Sequence, residues 1–290
     1  MKFSPIQKRM ALVLSGLMAA TLVACGGGSG AGPNVKTGYF IDSAVEGLRY
    51  QSGSQSGYTD SNGTFRYEEG QPVTFSIGKL ELGSLVVKNS RVFPVDLIDG
   101  AADESHPTVS LMAQILQTLD SDGDPSNGIT ISDSTRTGLG QVIELASTDL
   151  AAAADALVQL LSSSNSLGLP VSALVSATDA KTHLQTNLVK EYAGTWTGSF
   201  SGDDSGDCSI DISDSGSITG KCRSQQLNAE FPLLGQVSSS GESAAGDATT
   251  GAAFGGTYSR SGEVSGTWKN ETYKNTNGSD YAGTWRLKKN

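Results

Sequence analysis

The sequence predicts a multi-domain α+β protein: a small N-terminal β-sandwich, then a helical segment, then an eight-stranded antiparallel up-and-down β-barrel. Three observations lead to this fold class. Short β-prone runs separated by turn residues fill positions 35–95. Apolar residues at helical spacing follow between positions 107 and 190. From position 191 onward, Gly, Ser, Thr and aromatic residues recur at strand spacing with almost no helical pattern.

The predicted β-sandwich rests on four β-prone runs, at 39–41, 48–50, 63–67 and 73–77. Between the second and third runs, the Asn62-Gly63 pair supplies the positive φ angles of a tight turn. Residues 38–50 followed by 57–65 resemble a module of bacterial surface lipoproteins and adhesin-like proteins, similar to carboxypeptidase-regulatory-like or prealbumin-like β-domains. That resemblance implies a stalk or spacer.

Three apolar stripes predict three amphipathic helices. The first covers 107–119, where Pro107 suits the first turn. The second follows a cap within 147–149 and has Leu150, Leu157 and Leu161 on its stripe. The third covers 177–190, and Ser176 with Asp179 forms a capping box before it. We interpret these stripes as core-forming faces.

Eight candidate strands follow, which favours a closed up-and-down barrel because closure removes exposed strand edges. They are placed at 194–200, 207–213, 217–224, 227–236, 245–250, 253–259, 264–270 and 282–288. The segment 192–196 is repeated without change at 281–285, and Gly266-Thr267-Trp268 repeats the last three residues of both. This Gly-x-Trp pattern resembles calycin-type barrels and the barrel domains of Gram-negative surface lipoproteins.

Cysteine positions fit the strand model. In an antiparallel hairpin centred on Ser215, opposed residues have numbers that sum to 430, which places Cys208 opposite Cys222. In an oxidising compartment we expect these two residues to form a disulfide.

The N-terminus predicts export and lipid anchoring. A basic segment with Lys2, Lys8 and Arg9 precedes an apolar stretch that ends in Leu-Val-Ala-Cys at Cys25. This ending resembles the lipobox of bacterial lipoproteins, which implies removal of residues 1–24 and acylation of Cys25. Gly26 in the next position indicates outer-membrane sorting. The domain boundaries we predict are 1–24 for the signal peptide, 25–34 for the lipidated cysteine and Gly-rich tether, 35–190 for the sandwich and helices, and 191–290 for the barrel.

Composition excludes several kinds of partner and site. The formal charge of −10 makes nucleic acid an unsuitable partner, since its phosphates would meet a negative surface. With only two histidines and three cysteines in the chain, a zinc site of the usual kind is not expected.

A calcium site is predicted after the first helix. Asp120, Asp122 and Asp124 alternate in a Gly-containing loop, and Ser126 adds a fourth oxygen. The run resembles the start of an EF-hand or dockerin loop, which implies a structural calcium ion. Pro125 replaces the usual Gly, and Ile131 stands at the position of the bidentate Glu, although Asp133 lies nearby. The alternative interpretation is a solvated acidic turn.

We find no catalytic motif, because the sequence places no Gly-x-Ser-x-Gly nucleophile elbow between a strand and a helix. His106 precedes a proline at a helix start and His183 lies in an amphipathic helix, so we interpret both as structural or solvated. The sequence therefore favours a non-enzymatic binding, adhesion or interaction module in the envelope, with a protein, glycan or small molecule as partner. The alternatives are a carrier of a small hydrophobic ligand in the barrel and an acidic-residue hydrolase or enzyme accessory. A cavity beside Trp196, Trp268 or Trp285 would favour the carrier, whereas a filled barrel would favour recognition by its loops.

Overall fold

A computed structural model describes residues 32–142, 149–163 and 167–290 of the chain. The predicted signal peptide, Cys25 and most of the tether lie outside the described residues. The first nine strands are β1 (Val35–Phe40), β2 (Val45–Glu46), β3 (Arg49–Ser52), β4 (Gln55–Tyr58), β5 (Thr64–Glu68), β6 (Pro72–Ile77), β7 (Leu80–Val86), β8 (Arg91–Val92) and β9 (Ile129–Thr130).

Two sheets pack face to face and form the predicted sandwich. One has the strand order β5-β1-β8, and the other has the order β4-β3-β6-β7. Aromatic rings join them: the Phe40 and Phe75 centroids are 4.8 Å apart, and those of Phe65 and Phe75 are 4.9 Å apart. All three side chains are fully buried, so they supply much of the hydrophobic stabilisation here.

The turn at Asn62-Gly63 differs from the prediction. Only Gly63 has a positive φ, 73°, and the turn joins strands of different sheets instead of closing a hairpin. The Asp60 carboxylate accepts hydrogen bonds from the backbone N–H groups of Asn62 and Thr64, both at 2.9 Å. This side-chain bonding replaces the second left-handed residue that a two-residue hairpin turn would need.

The helices are α1 (Pro107–Thr118), α2 (Asp133–Val142), α3 (Leu150–Ser163) and α4 (Ala177–Lys190). The predicted stripes of α1, α3 and α4 face the core, with Met112, Leu157 and Leu184 all 2% exposed or less. Ser176 caps α4 by accepting a hydrogen bond from the Asp179 N–H at 3.1 Å. The sequence did not predict α2, because Gly138 and Gly140 interrupt its pattern.

The C-terminal strands close into the predicted barrel, each pairing with its sequence neighbour and the last with the first. They are β10 (Gly194–Gly202), β11 (Gly206–Ile212), β12 (Ser217–Ser224), β13 (Ala229–Val237), β14 (Glu242–Asp247), β15 (Ala252–Tyr258), β16 (Glu263–Lys274) and β17 (Asp280–Lys289). All eight overlap the predicted segments, and the largest shift is at β14.

The repeated Gly-Thr-Trp segments have a structural reason. On β16 and β17, Gly266 pairs with Trp285 and Trp268 pairs with Gly283. A Cβ atom on Gly283 would lie 2.5 Å from the indole nitrogen of Trp268, and one on Gly266 would lie 2.7 Å from that of Trp285. Each tryptophan therefore occupies the space that the opposite glycine leaves open.

The sandwich, the helices and the barrel belong to one compact unit, Pro33–Asn290. The Arg260 guanidinium, in the loop between β15 and β16, binds both carboxylate oxygens of Asp96 and lies over the Phe93 ring. The Arg91 side chain donates to Glu191 at 2.6 Å. These contacts join the barrel to the part of the chain that precedes it. Within the described residues, we find no helix with the length and apolar character needed to span a membrane.

Candidate functional site

Side chains fill the interior of the barrel. Trp196, Phe254, Tyr258 and Trp285 are each at most 3% exposed. Their rings contact one another edge to face, with centroids 4.8 Å apart for Trp196–Tyr258 and 5.9 Å for Phe254–Trp285. The three indole N–H groups donate to the backbone oxygens of Tyr192, Ser201 and Gly255 at 2.8, 3.0 and 3.0 Å. The tryptophans thus form a hydrogen-bonded core.

A disulfide joins Cys208 to Cys222 inside the barrel. The two residues are directly opposed on β11 and β12, in the register that the hairpin centred on Ser215 predicts. Both are buried. The disulfide therefore belongs to the filled interior and links two strands of the closed sheet.

The end of the barrel that faces away from residues 33–190 is its distal mouth. It is formed by Asp204, Leu227, Phe231, Tyr273 and Tyr281, which line a cavity of about 30 Å³. That volume corresponds to the space of about one water molecule, far below a ligand pocket. Leu227 is 47% exposed. The distal mouth therefore closes the barrel with an aromatic surface that solvent can reach.

Hydrogen bonds order the loops around the distal mouth. Gln226 donates from Nε2 to the Tyr281 hydroxyl at 3.1 Å. The Asp204 carboxylate accepts from the Ser224 hydroxyl at 2.6 Å and from the Ser205 N–H at 2.7 Å. Hydrogen bonds from Thr250 and then Thr249 lower the pKa of Asp247. The Asp247 carboxylate is therefore ionised at neutral pH, and the side chains of Asp204 and Asp247 hold the loops of the rim in place.

The acidic loop, residues 120–128, folds around its own carboxylates. Asp122 accepts from the Asn127 side chain at 3.0 Å, and this bond lowers the pKa of Asp122. Asp124 accepts from the backbone N–H and the hydroxyl of Ser126. Asp133 forms an ion pair with Arg136, and both residues lie in the next helix, α2. These contacts are those of a tight turn in which two of the three alternating carboxylates bond within the loop.

Asp120 is the exception in this loop. It is 1% exposed, and its Oδ1 accepts from the Thr130 N–H at 2.9 Å. Its Oδ2 is buried and has no hydrogen-bond partner in the described part of the chain. Burial raises the pKa of Asp120, and the neighbouring Asp122 carboxylate raises it further. Among the described residues, no three His, Cys, Asp or Glu side chains converge as a metal site.

A polar cluster that the sequence did not reveal lies beside the acidic loop. Asp42, which follows β1, is fully buried and accepts from the Gln117 side chain at 3.0 Å. His183 of α4 lies with its Nε2 3.8 Å from Asp42 Oδ1 and 3.1 Å from the Ser43 hydroxyl. Burial raises the pKa of Asp42 to about 7 and lowers the pKa of His183.

The geometry of this cluster differs from that of a catalytic triad. In a triad the carboxylate and the serine contact different ring nitrogens of the histidine. Here Ser43, the Asp42 backbone oxygen and the Asn187 amide all approach the same atom, His183 Nε2, at 3.1–3.3 Å. The arrangement is suited to holding the turn at Ser43 against α4.

Sequence reasoning located the disulfide and the acidic loop but treated His183 as a structural or solvated residue. No sequence signal connects Asp42 with His183, which are 141 positions apart. A comparison of the chain with protein-family models and with curated proteins finds no match.

Proposed function

We propose that this chain is an outer-membrane lipoprotein, anchored through Cys25, that acts as a binding or interaction module without enzymatic activity. The filled barrel interior supports this function most directly, because a closed core leaves recognition to the outer surface and loops. The distal mouth supplies such a surface. It combines an exposed Leu227, two tyrosines and an ordered rim, and aromatic residues are enriched in protein interfaces.

The carrier alternative has less support. A ligand pocket of ordinary size holds about 300–1,000 Å³, whereas the interior cavity at the distal mouth holds about 30 Å³. A small apolar ligand would have to displace a ring such as Phe254, which contacts Trp268 and Trp285.

Site-specific photocrosslinking in intact cells tests the proposed function. A photoreactive phenylalanine analogue replaces Leu227 at the distal mouth, and the matched control replaces Thr219, an exposed residue on the outer wall of β12. We expect a discrete protein or glycoconjugate adduct from position 227 and none from position 219. A second chain in which Tyr281→Ala accompanies the probe at position 227 should lose the adduct. Adducts of equal yield at both positions, or none at either, would contradict recognition by the distal mouth.

A structural calcium ion in the acidic loop is a second proposal. The observation in its favour is Asp120, which presents a buried oxygen with no hydrogen-bond partner in the described part of the chain. Hard cations such as Ca²⁺ bind carboxylate and carbonyl oxygens in loops of this composition. Asp122 and Asp124 would supply the further carboxylates and Ser126 another oxygen.

Calorimetric titration with CaCl₂ tests this proposal on the full chain. We expect saturable binding that the double variant Asp120→Asn/Asp122→Asn abolishes. The control Asp203→Asn/Asp204→Asn, in the barrel, should leave calcium binding intact. Absence of calcium binding to the unaltered chain, or equal binding by the acidic-loop variant, would exclude the site.

A further inference from the structure

A groove of about 600 Å³ lies over the sheet β5-β1-β8, at the end where the acidic loop and α4 approach it. The residues that matter for its chemistry are Tyr39 and Asn62 on the sheet side, Ser43 in the turn after β1, Asn127 in the acidic loop and Asn187 on α4. Four separate parts of the chain therefore contribute polar groups to one concave surface.

The groove offers hydrogen-bonding groups with little free charge. Asn127 and Asn187 use their Nδ2 atoms internally, toward Asp122 and His183, which leaves their Oδ1 atoms as acceptors. Arg91 is the single charged residue among those lining the described groove, and Glu191 neutralises it at 2.6 Å. The Tyr39 ring is 36% exposed and adds an apolar face with a hydroxyl at its edge.

The turn at Ser43 is held in a strained conformation facing this groove. Ser43 has a φ of 54°, in the left-handed region that favours glycine. His183 and the buried Asp42 lie behind it, and Ile41 pairs with Ala44 across the turn. Strain of this kind is maintained only where the surrounding structure determines it, and such residues cluster at ligand sites. The polar cluster thus fixes the position of the Ser43 hydroxyl.

From these observations we infer that the groove binds an uncharged carbohydrate. Sugars present ring hydroxyls that both donate and accept, together with an apolar C–H face. The amide oxygens of Asn127 and Asn187 and the Ser43 hydroxyl match the hydroxyl groups, and the exposed Tyr39 ring matches the C–H face. This site is separate from the distal mouth and does not depend on the proposed function.

Other ligand classes fit the groove less well. An anion fits poorly because Arg91, the one cationic side chain among the described residues that line the groove, is already paired with Glu191. The anion would also lie near the carboxylates of Asp122 and Asp124. A purely apolar ligand would leave the asparagine amides without partners, which costs free energy for each buried polar group. Peptides share the amide chemistry, and the experiment below separates them from sugars.

Saturation-transfer NMR on the full chain tests the inference. The probes are maltotriose, cellotriose, triacetylchitotriose and mannotriose, with triglycine as the peptide probe. We expect at least one trisaccharide to bind with a measurable dissociation constant and triglycine not to bind. Tyr39→Ala and Asn187→Ala should each weaken that binding at least tenfold. The matched controls are Tyr58→Ala, at an exposed residue, and Asn89→Ala, at a half-buried one; both residues lie outside the groove, and the two variants should leave the binding unchanged.

Ser43→Gly gives an independent test of the strained turn, because glycine adopts the left-handed conformation without strain and keeps the fold. Loss of sugar binding in a folded Ser43→Gly chain supports the role of the hydroxyl. Three results would overturn the inference: no binding of any trisaccharide, binding of triglycine at the same groove, or equal binding by the Tyr39→Ala and Asn187→Ala variants. Trisaccharide binding that is unchanged by Leu227→Asp, a substitution at the distal mouth, would show that the groove and the distal mouth are separate sites.

Discussion

At the residue scale, Asp42 is a buried acid. One of its oxygens accepts a hydrogen bond from Gln117, and the other has no hydrogen-bond partner in the described part of the chain. Burial raises the pKa of Asp42 from 3.8 to about 7. Between these two values the folded chain holds a proton that the unfolded chain releases. The free energy of unfolding therefore falls as pH rises from about 4 to about 7, and is lowest above that range.

We expect Asp42→Asn to remove this contribution, because the amide cannot ionise yet can still bond to Gln117. Denaturant titrations across pH 4–8 should show the variant gaining stability relative to the unaltered chain by at most about 4 kcal/mol toward pH 8. The neighbouring His183, whose pKa burial lowers, has the opposite slope and is present in both chains. A constant difference between the two chains across this pH range would show that Asp42 has an ordinary pKa.

The disulfide is the second residue-scale contribution to stability. Cys208 and Cys222 close a loop with a sequence separation of 14. In the chain-entropy model, loss of such a bridge costs about 3 kcal/mol. Unfolding by urea, with and without a reductant, should show this loss in the unaltered chain. A Cys208→Ala/Cys222→Ala chain should be insensitive to the reductant; if both chains respond alike, the bridge is not the source of the stability.

Sequence reasoning predicted the cysteine pair but not Asp42, and the physical reason is distance along the chain. A hairpin relates residues that are close in sequence, so a sum rule is enough to pair Cys208 with Cys222. The burial of Asp42 depends on α1 and α4, which approach it from positions 117 and 183. Local sequence patterns therefore do not reveal these long-range contacts.

At the scale of elements, β16 and β17 depend on their glycines. We expect Gly283→Ala to destabilise the chain by about 1–3 kcal/mol, because its Cβ would lie 1.9 Å from the Ser201 oxygen and 2.5 Å from the Trp268 indole. The matched control is Gly255→Ala on β15, whose Cβ would meet its nearest neighbour only at 3.9 Å. Thermal unfolding of both variants measures the difference. Equal loss at both positions would show that the close approach at Gly283 is not the source of the cost.

Most elements could be predicted from the sequence because their patterns are strong and local. The stripes of α1, α3 and α4 and the strand-spaced aromatics of the barrel required only periodicity. Helix α2 was missed since two glycines weaken its pattern, and tertiary contacts stabilise it instead, with Leu139 buried against the sandwich. The start of β14 was placed three residues late, because its small residues have no clear alternation.

At the scale of the whole molecule, Arg260 connects the barrel to the rest of the chain. Its guanidinium binds both oxygens of Asp96, and the two side chains are 19% and 22% exposed. We expect Arg260→Ala to lower stability by about 1–3 kcal/mol and to separate the unfolding of the barrel from that of residues 33–190. The control is Lys221→Ala, which removes an ion pair with Glu230 that is exposed to solvent and therefore contributes little to stability.

Differential scanning calorimetry distinguishes these outcomes. Two resolved transitions in Arg260→Ala, against one in Lys221→Ala, would confirm that this contact couples the two parts. A single unchanged transition in both variants would show that other contacts are sufficient. The sequence could not predict this connection, because Asp96 and Arg260 are 164 positions apart.

The barrel is filled, and we propose that it recognises partners through its outer surface and loops. Titration with indole and with palmitate, followed by the NMR signals of the tryptophan side chains, tests it most directly. The positive control is Phe254→Ala, which should open an apolar cavity among Trp268, Trp285 and Phe200. A second variant, Leu233→Ala, should leave a smaller cavity. We predict that indole binds the Phe254→Ala variant and that neither probe binds the unaltered chain. One-to-one binding of either probe inside the unaltered barrel would contradict the claim.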